Sequence, residues 1–252
     1  MNFRFQLMFI LLLLITGCGS THVIRSETKV IALVTAETAA VDSAVYYMIE
    51  PYRIAIAVNM DETIGETEKA MERAQPEGLL GNFVADACMS VAEKYYYPED
   101  NVKIDFCLMN NGGLRAPLPQ GKITRRNIFE LMPLENSLTV LTLKGETVEK
   151  VLTFVAVKGG MPVSKIKMQI RDTAAINIEV AGKSFDREKN YRMVTSDYLA
   201  NGGDGLFFLS AAVKREDLNM KVRDALLEYI GGLTKAGKKI SAKAEGRITY
   251  AP

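Results

Sequence analysis

The chain has 252 residues, of which 48% are hydrophobic and 24% are charged. This composition excludes a disordered chain and is typical of a globular protein with a sizeable core, as one large domain or two small ones. The net charge of +1 excludes the strongly basic surface that nucleic-acid binding needs, so we expect no nucleic-acid partner.

The first twenty residues, MNFRFQLMFILLLLITGCGS, have the pattern of an export signal. A positive charge at Arg4 precedes an apolar run that is too short to span a bilayer comfortably. The sequence Ile-Thr-Gly-Cys that ends at Cys18 resembles the bacterial lipobox, in which the cysteine is acylated and becomes the mature N-terminus. We therefore predict a lipoprotein signal peptide over 1–17 and a lipid anchor at Cys18, with the mature domain in the bacterial periplasm or cell envelope. A plain secretory signal with an incidental cysteine is the alternative.

After the leader, we predict a short tether over 18–35 and a folded region over 36–252. Apolar residues at helical spacing predict helices, with a kink or restart at Pro51, over the segments 39–60, 79–96, 124–132, 146–157 and 218–230. Alternating apolar and polar residues predict strands over the segments 62–71, 102–110, 137–145, 165–170, 176–182, 191–196 and 246–250. Helices and strands follow one another without a regular βαβ repeat, so we expect an α+β fold: a single domain of mixed β-sheet with packed helices.

The sequence lacks the side chains of most hydrolytic centres. Its one histidine, His22, lies in the predicted tether, which excludes a Ser-His-Asp or Cys-His arrangement inside the domain. Two-metal hydrolases draw on several His and Asp ligands, and the chain contains no metal-binding motif. We therefore predict no catalytic residue and no bound metal or other cofactor in this chain.

Two cysteines follow the leader, Cys88 in a helical pattern and Cys107 in a strand-like run. A disulfide between them is permitted outside the cytoplasm. The simpler interpretation is that both are small buried apolar residues.

Two glycine-rich loops are the candidate functional segments. NNGGLR, residues 110–115, follows a predicted strand and presents Arg115, whose forked guanidinium suits a phosphate or carboxylate. YLANGGDGL, residues 198–206, offers an aromatic face at Tyr198 and a carboxylate at Asp204 that could accept two ribose hydroxyls. Tight turns with solvated tips and a core tyrosine are the alternative, because Asn-Gly-Gly is common in turns.

These loops belong to a longer pattern. NNGGLR, then ITRRNIFELMPLENSLTVLTLKGETVEKVL, then YRMVTSDYLANGGDGL closely resemble the C-terminal domain of the bacterial and animal 5′-nucleotidase family. PEGLLGNFVADA resembles the first helix of that domain and GRITY its last strand, so that the resemblance covers roughly residues 36–250. The resemblance implies a domain that recognises the nucleotide, while a separate N-terminal metallophosphatase domain carries two metals and a catalytic Asp-His pair.

The resemblance also assigns roles to individual residues. It implies that Asn110 contacts the ligand, that Arg115 approaches its phosphate side, that Tyr198 stacks on the base and that Asp204 holds the ribose hydroxyls. Stacking on an aromatic face tolerates different bases, so tyrosine is a mild change from the usual phenylalanine. With the turn glycines and the loop amide, the predicted substrate-binding residues are Asn110, Gly112, Gly113, Arg115, Tyr198, Asn201 and Asp204.

Two positions depart from the family pattern. The family has a second aromatic in the MPLEN segment, where this chain has Leu134, a possible pocket wall without a π face. A further family arginine has only Arg73 as its candidate, and Pro76 leaves the register open.

We expect this chain to be the nucleotide-recognition half of a 5′-nucleotidase-type hydrolase. Its small-molecule partner would be a nucleotide or nucleoside, and divalent metals would be bound only by a partner metallophosphatase chain. Two alternatives remain: a non-catalytic nucleoside- or sugar-binding lipoprotein, and a degenerate protein-interaction scaffold.

Overall fold

A computed structural model describes residues 42–252 of the chain. The predicted signal peptide, the anchor at Cys18, the tether and the first residues of the predicted first helix lie outside the described residues. The domain proper is described below by its elements in residues 50–252, which form one compact unit of α+β structure.

The described helices are α1 (Ser43–Met60), α2 (Leu79–Tyr95), α3 (Arg125–Leu131), α4 (Gly145–Val157), α5 (Asp197–Ala200) and α6 (Val222–Lys235). The strands in chain order are β1 (Thr63–Thr67), β2 (Phe106–Leu108), β3 (Gly121–Thr124), β4 (Ser137–Lys144), β5 (Val163–Ser164), β6 (Ile166–Arg171), β7 (Ala174–Val180), β8 (Lys183–Ser184), β9 (Asn190–Ser196), β10 (Lys214–Lys221) and β11 (Ile248–Tyr250). Short 3₁₀ turns lie at Asn111–Gly113, Gly203–Gly205 and Phe207–Ala211.

A five-stranded sheet in the order β10-β4-β9-β2-β5 positions the two glycine-rich loops. Within it β2 and β9 are parallel neighbours, with Phe106 opposite Met193 and Cys107 opposite Val194. The carboxyl ends of parallel neighbours reach the same edge of a sheet. The loops that follow β2 and β9 therefore lie side by side, although they are far apart in the sequence.

The central sheet is buried on both faces. The side chains of β4 contribute to a separate hydrophobic core on each face. Leu138 and Val140 join a core that includes buried residues of α2, α3 and α6. Leu141 and Leu143 join a second core, with buried residues of α4 and of the sheet β11-β6-β7-β8. Each fully buried leucine contributes roughly 1.5–3 kcal/mol through the apolar area that it removes from water. The two glycine-rich loops therefore extend from a well-packed sheet.

A smaller two-stranded sheet leads into α3. Strands β1 and β3 pair in the antiparallel sense. Thr124, at the end of β3, precedes α3, and its backbone N–H donates to Asn127 Oδ1 at 2.9 Å. The Thr124 and Asn127 side chains form a reciprocal capping box at the start of α3.

Several predicted elements change their bounds. The predicted helix over 218–230 was wrong for its first residues: Leu218 and Met220 lie on β10, an edge strand paired with β4, and the helix begins at Val222. The predicted strand over 102–110 is a strand only at Phe106–Leu108. The helix α1 runs continuously through Pro51.

Cys88 and Cys107 are both buried and both free, which confirms their interpretation as small apolar residues. Burial raises the pKa of the Cys88 thiol to about 12. Across residues 42–252, the helices are all too short or too polar to cross a membrane.

Candidate functional site

The loops after β2 and β9 form the walls of a cavity of about 180 Å³. The residues that line it come from these loops, from the MPLEN segment and from the start of α6: Met109, Asn110, Gly112, Gly113, Arg115, Met132, Leu134, Asn136, Ser196, Tyr198, Asp204 and Val222. Of the residues predicted from the sequence, all but Asn201 lie on this one surface.

The Asp204 carboxylate connects the two loops. Asn110 Nδ2 donates to Asp204 Oδ2 at 2.8 Å, and the Tyr198 hydroxyl donates to Asp204 Oδ1 at 2.8 Å. The same hydroxyl accepts the backbone N–H of Asp204 at 3.2 Å. Asp204 has the left-handed backbone angle φ of 57°, which Asn and Asp adopt more readily than other residues with a side chain. The carboxylate is therefore held at the cavity wall by both loops.

Glycine is needed where the loops approach their own side chains. A Cβ at Gly203 would lie 2.5 Å from Tyr198 Cε1 and 2.6 Å from the Tyr198 carbonyl oxygen. A Cβ at Gly113 would lie 3.0 Å from Asn110 Oδ1. The contact at Gly203 could not form without a shift of Tyr198, and the contact at Gly113 would displace Asn110 by a few tenths of an ångström. Both glycines therefore allow these side chains to keep their positions.

Arg115 supplies the positive charge of the cavity wall. Its backbone N–H donates to the Leu131 carbonyl at 2.8 Å, which fixes the main chain, while its side chain is exposed. The Arg115 side chain makes no hydrogen bond or ion pair with any residue in 42–252. Arg73 lies near the same turn, because its Nη1 donates to the Asn111 carbonyl at 3.3 Å, but it does not line the cavity.

Leu134 lies in the cavity wall and is 40% exposed. Its segment is fixed by Arg223, which donates to the Met132 carbonyl at 3.4 Å, bonds the Glu135 carboxylate and lies 4.2 Å over the Phe129 ring. Hydrogen bonds from Lys221 and then Arg223 lower the pKa of Glu135 to about 2. These contacts hold the segment that carries Leu134, so the aliphatic side chain has a fixed place in the cavity wall.

Asn201 is the predicted site residue that the fold does not bring to the cavity. Its Oδ1 accepts a hydrogen bond from Arg215 Nη1 at 2.6 Å, on the edge strand β10. The side chain thus ties the loop to the sheet, which is the physical reason that it is absent from the cavity lining.

Sequence reasoning missed five lining residues: Met109, Met132, Asn136, Ser196 and Val222. Met109 and Ser196 adjoin the two loops directly, and their position at strand ends could have identified them. Val222 comes from a helix that is distant in sequence from the first loop, and no local pattern indicates it. Within residues 42–252, no three His, Cys, Asp or Glu side chains are grouped as a metal site.

Comparison with known proteins identifies the family. The family model for the 5′-nucleotidase C-terminal domain matches residues 63–212, which is more than half of the chain. The chain belongs to this family. This domain is the nucleotide-recognition part of 5′-nucleotidases, and the predicted resemblance is confirmed.

Individual relatives agree with this assignment. The chain is 27% identical over 209 residues to the trifunctional nucleotide phosphoesterase YfkN of Bacillus subtilis, covering 75% of this chain and 14% of that protein. It is 27% identical over 195 residues to a cell wall protein of Listeria monocytogenes, covering 69% of this chain and 24% of that protein. The 5′-nucleotidase precursor of Thermus thermophilus has the same fold, with a TM-score of 0.68 and 24% identity over 84% of this chain and 44% of that one. The chain therefore spans less than half the length of each of these proteins. The shared fold with the Thermus thermophilus protein confirms the predicted α+β fold.

Proposed function

We propose that this chain is the nucleotide-recognition half of a 5′-nucleotidase-type hydrolase that scavenges nucleotides outside the cytoplasm. The main observation behind this proposal is that an aromatic ring, a held carboxylate and an exposed guanidinium line one cavity. These three groups match the three parts of a nucleotide. An exposed Tyr198 face suits a base, Asp204 suits the ribose hydroxyls, and Arg115 suits a phosphate.

The small volume of the cavity favours a second protein chain that completes the site. Its volume of about 180 Å³ lies below the range of about 300–1,000 Å³ that is usual for pockets burying a small ligand. A nucleotide resting on these walls would keep part of its surface open, on the side where Arg115 is exposed. We propose that a separate metallophosphatase chain covers this side and delivers the metals to the phosphate.

The chemistry of phosphate monoester hydrolysis favours the same division of labour. Attack on the phosphate needs an activated water and positive charge at the phosphoryl oxygens, which two metal ions held by several His and Asp side chains provide. This chain has one histidine, His22, and Arg115 can neutralise charge but cannot generate the nucleophile.

Phosphate-release assays with AMP and Mn²⁺ or Zn²⁺ are therefore expected to give background rates for the isolated chain. A metallophosphatase partner should restore turnover, and Arg115→Ala should lower the restored rate. Metal-dependent release by the isolated chain that is lost in Asp204→Ala would contradict the proposal.

Binding is tested by calorimetry with adenosine and AMP. Tyr198→Ala should weaken binding by about 1–3 kcal/mol, as loss of base stacking does elsewhere. Asn201→Ala is the matched control, because Asn201 lies in the same loop but contacts Arg215 rather than the cavity. Equal affinity of the wild type and of the double variant Tyr198→Ala, Asp204→Ala would reject the assigned roles.

Leu134 favours a second candidate function. An aliphatic wall in the same cavity as the tyrosine offers less stacking than an aromatic pair. Weaker stacking favours a lipoprotein that captures nucleosides or sugars without catalysis. Binding of adenosine and AMP with equal affinity, together with no turnover beside any metallophosphatase, would support this candidate.

The location is proposed from the leader. We propose that Cys18 is acylated and tethers the domain to the bacterial cell envelope, because dual acylation gives stable anchoring. Cys18→Ser should move the protein from the membrane fraction to the soluble fraction or leave it unprocessed. A mature N-terminus at any other residue, found by mass spectrometry, would contradict the anchor.

A further inference from the structure

The Tyr198 hydroxyl has two bonds that its proposed stacking role does not use. It donates to Asp204 Oδ1 at 2.8 Å and accepts the Asp204 backbone N–H at 3.2 Å. These two hydrogen bonds close the loop between Tyr198 and Asp204. Gly203 lies against the ring edge, where a Cβ would be 2.5 Å from Tyr198 Cε1. The position of the hydroxyl is therefore set by packing as well as by its hydrogen bonds.

These bonds determine the orientation of the Asp204 carboxylate. The terminal torsion of an aspartate side chain is broad, so that a free carboxylate samples many orientations. Here each oxygen has its own donor, Tyr198 for Oδ1 and Asn110 for Oδ2. Two donors on two different oxygens fix the rotation of the group.

These hydrogen bonds also leave the Asp204 carboxylate able to accept further hydrogen bonds. A carboxylate has roughly four lone-pair sites, two on each oxygen. Residues 42–252 use one site on each oxygen of Asp204, which leaves one site on each oxygen of a residue that lines the cavity. Two neighbouring hydroxyls can donate to this pair together, whereas a single hydroxyl leaves one acceptor without its partner.

From this geometry we propose that Tyr198 is a positioning residue whose hydroxyl makes the site selective for a vicinal diol. The proposal rests on the proposed function, since it names the part of a nucleoside that the site distinguishes. The hydroxyl orders the carboxylate before the ligand arrives, which lowers the entropic cost of binding. The ring and the hydroxyl of Tyr198 thus act on different parts of the ligand.

The test is calorimetry with adenosine and 2′-deoxyadenosine on the wild type and on Tyr198→Phe. The substitution keeps the ring and removes the hydroxyl. We expect the wild type to prefer adenosine, and Tyr198→Phe to lower adenosine affinity about tenfold while 2′-deoxyadenosine affinity changes less than about twofold. The preference for the diol should therefore fall, which a general loss of structure would not cause.

Tyr97→Phe is the matched control, since Tyr97 is 85% exposed and does not line this cavity. Thermal unfolding of both variants checks the fold. Equal wild-type affinity for the two ligands, or an unchanged preference in Tyr198→Phe, would overturn this inference and leave the proposed function standing. Failure of the wild type to bind either ligand would overturn both.

Discussion

The two ends of the parallel strand pair β2 and β9 carry similar side chains that are used in opposite ways. At the amino ends, the Arg192 backbone N–H donates to Asp105 Oδ2 at 2.7 Å, and the Asp105 N–H donates to the Arg192 carbonyl at 2.8 Å. The Arg192 guanidinium is buried, donates to Asp100 and to the Val102 carbonyl, and lies over the Tyr96 ring. Both terminal nitrogens of this guanidinium are hydrogen-bonded within the protein.

At the carboxyl ends, the arginine and the aromatic are left accessible. Arg115 is exposed, and Tyr198 is 43% exposed. Asp204 is held by two donors but keeps acceptor capacity at the cavity. The same sheet thus has a closed end, where the polar groups are bonded within the protein, and an open end, where Arg115 and Tyr198 are exposed. The proposed site lies at the open end, and ligands of sheet proteins generally lie beyond the carboxyl ends of strands.

The largest effect that tests this comparison is expected from the buried arginine. Arg192→Ala should lower the free energy of unfolding by about 2–4 kcal/mol, because the Val102 carbonyl loses its donor and buried packing is removed. Urea unfolding measures the loss. Arg115→Ala is the matched arginine at the open end and should leave the unfolding free energy within about 0.5 kcal/mol of the wild type. A similar loss in both variants would contradict the distinction between the ends.

A smaller effect is expected from the glycine behind Tyr198. Gly203→Ala places a Cβ against the Tyr198 ring and carbonyl, so it should weaken adenosine binding by about 1–2 kcal/mol through displacement of the ring. Gly231→Ala in α6 is the control, since nothing lies within 4 Å of its added Cβ, and it should stabilise the helix by up to about 1 kcal/mol. Calorimetry and thermal unfolding check both, and unchanged adenosine binding in Gly203→Ala would show that the ring position does not matter.

The smallest effect concerns pH at the closed end. The Arg192 guanidinium lowers the pKa of Asp100 from its ordinary value of 3.8 to about 2. Because the folded-state pKa is the lower one, the Asp100 pair stabilises the fold fully above about pH 4 and loses this contribution as pH falls through about 2. The melting temperature of the wild type should therefore drop more steeply over this window than that of Asp100→Asn. Parallel curves would show that the Asp100 carboxylate does not stabilise the closed end.

The sequence was sufficient for the family, the class of fold and most of the site, because the glycine-rich loops and the segments between them have a recognisable order. It was insufficient where a local pattern is ambiguous. Leu218 and Met220 are two residues apart, which is strand spacing, yet they directly precede a clear helix whose apolar pattern they extend. Only the pairing of β10 with β4 determines that these two residues belong to a strand.

Long-range contacts account for what could not be predicted in the site. Nothing local shows that Asn110 donates to Asp204, 94 residues later. The same limit applies to Asn201, which has the composition of a ligand-binding loop residue but contacts Arg215 on the edge strand. The parallel pairing of β2 and β9 brings the two loops together, and the position of β10 at the sheet edge sets the contact of Asn201.

A crystal structure of the protein soaked with AMP tests whether the open end of this strand pair binds a nucleotide. We expect the base against the Tyr198 ring, the ribose hydroxyls on Asp204 and the phosphate on the side of Arg115. AMP bound at another surface, or an empty cavity at saturating AMP in a lattice that leaves it accessible, would show that this end is not a nucleotide site.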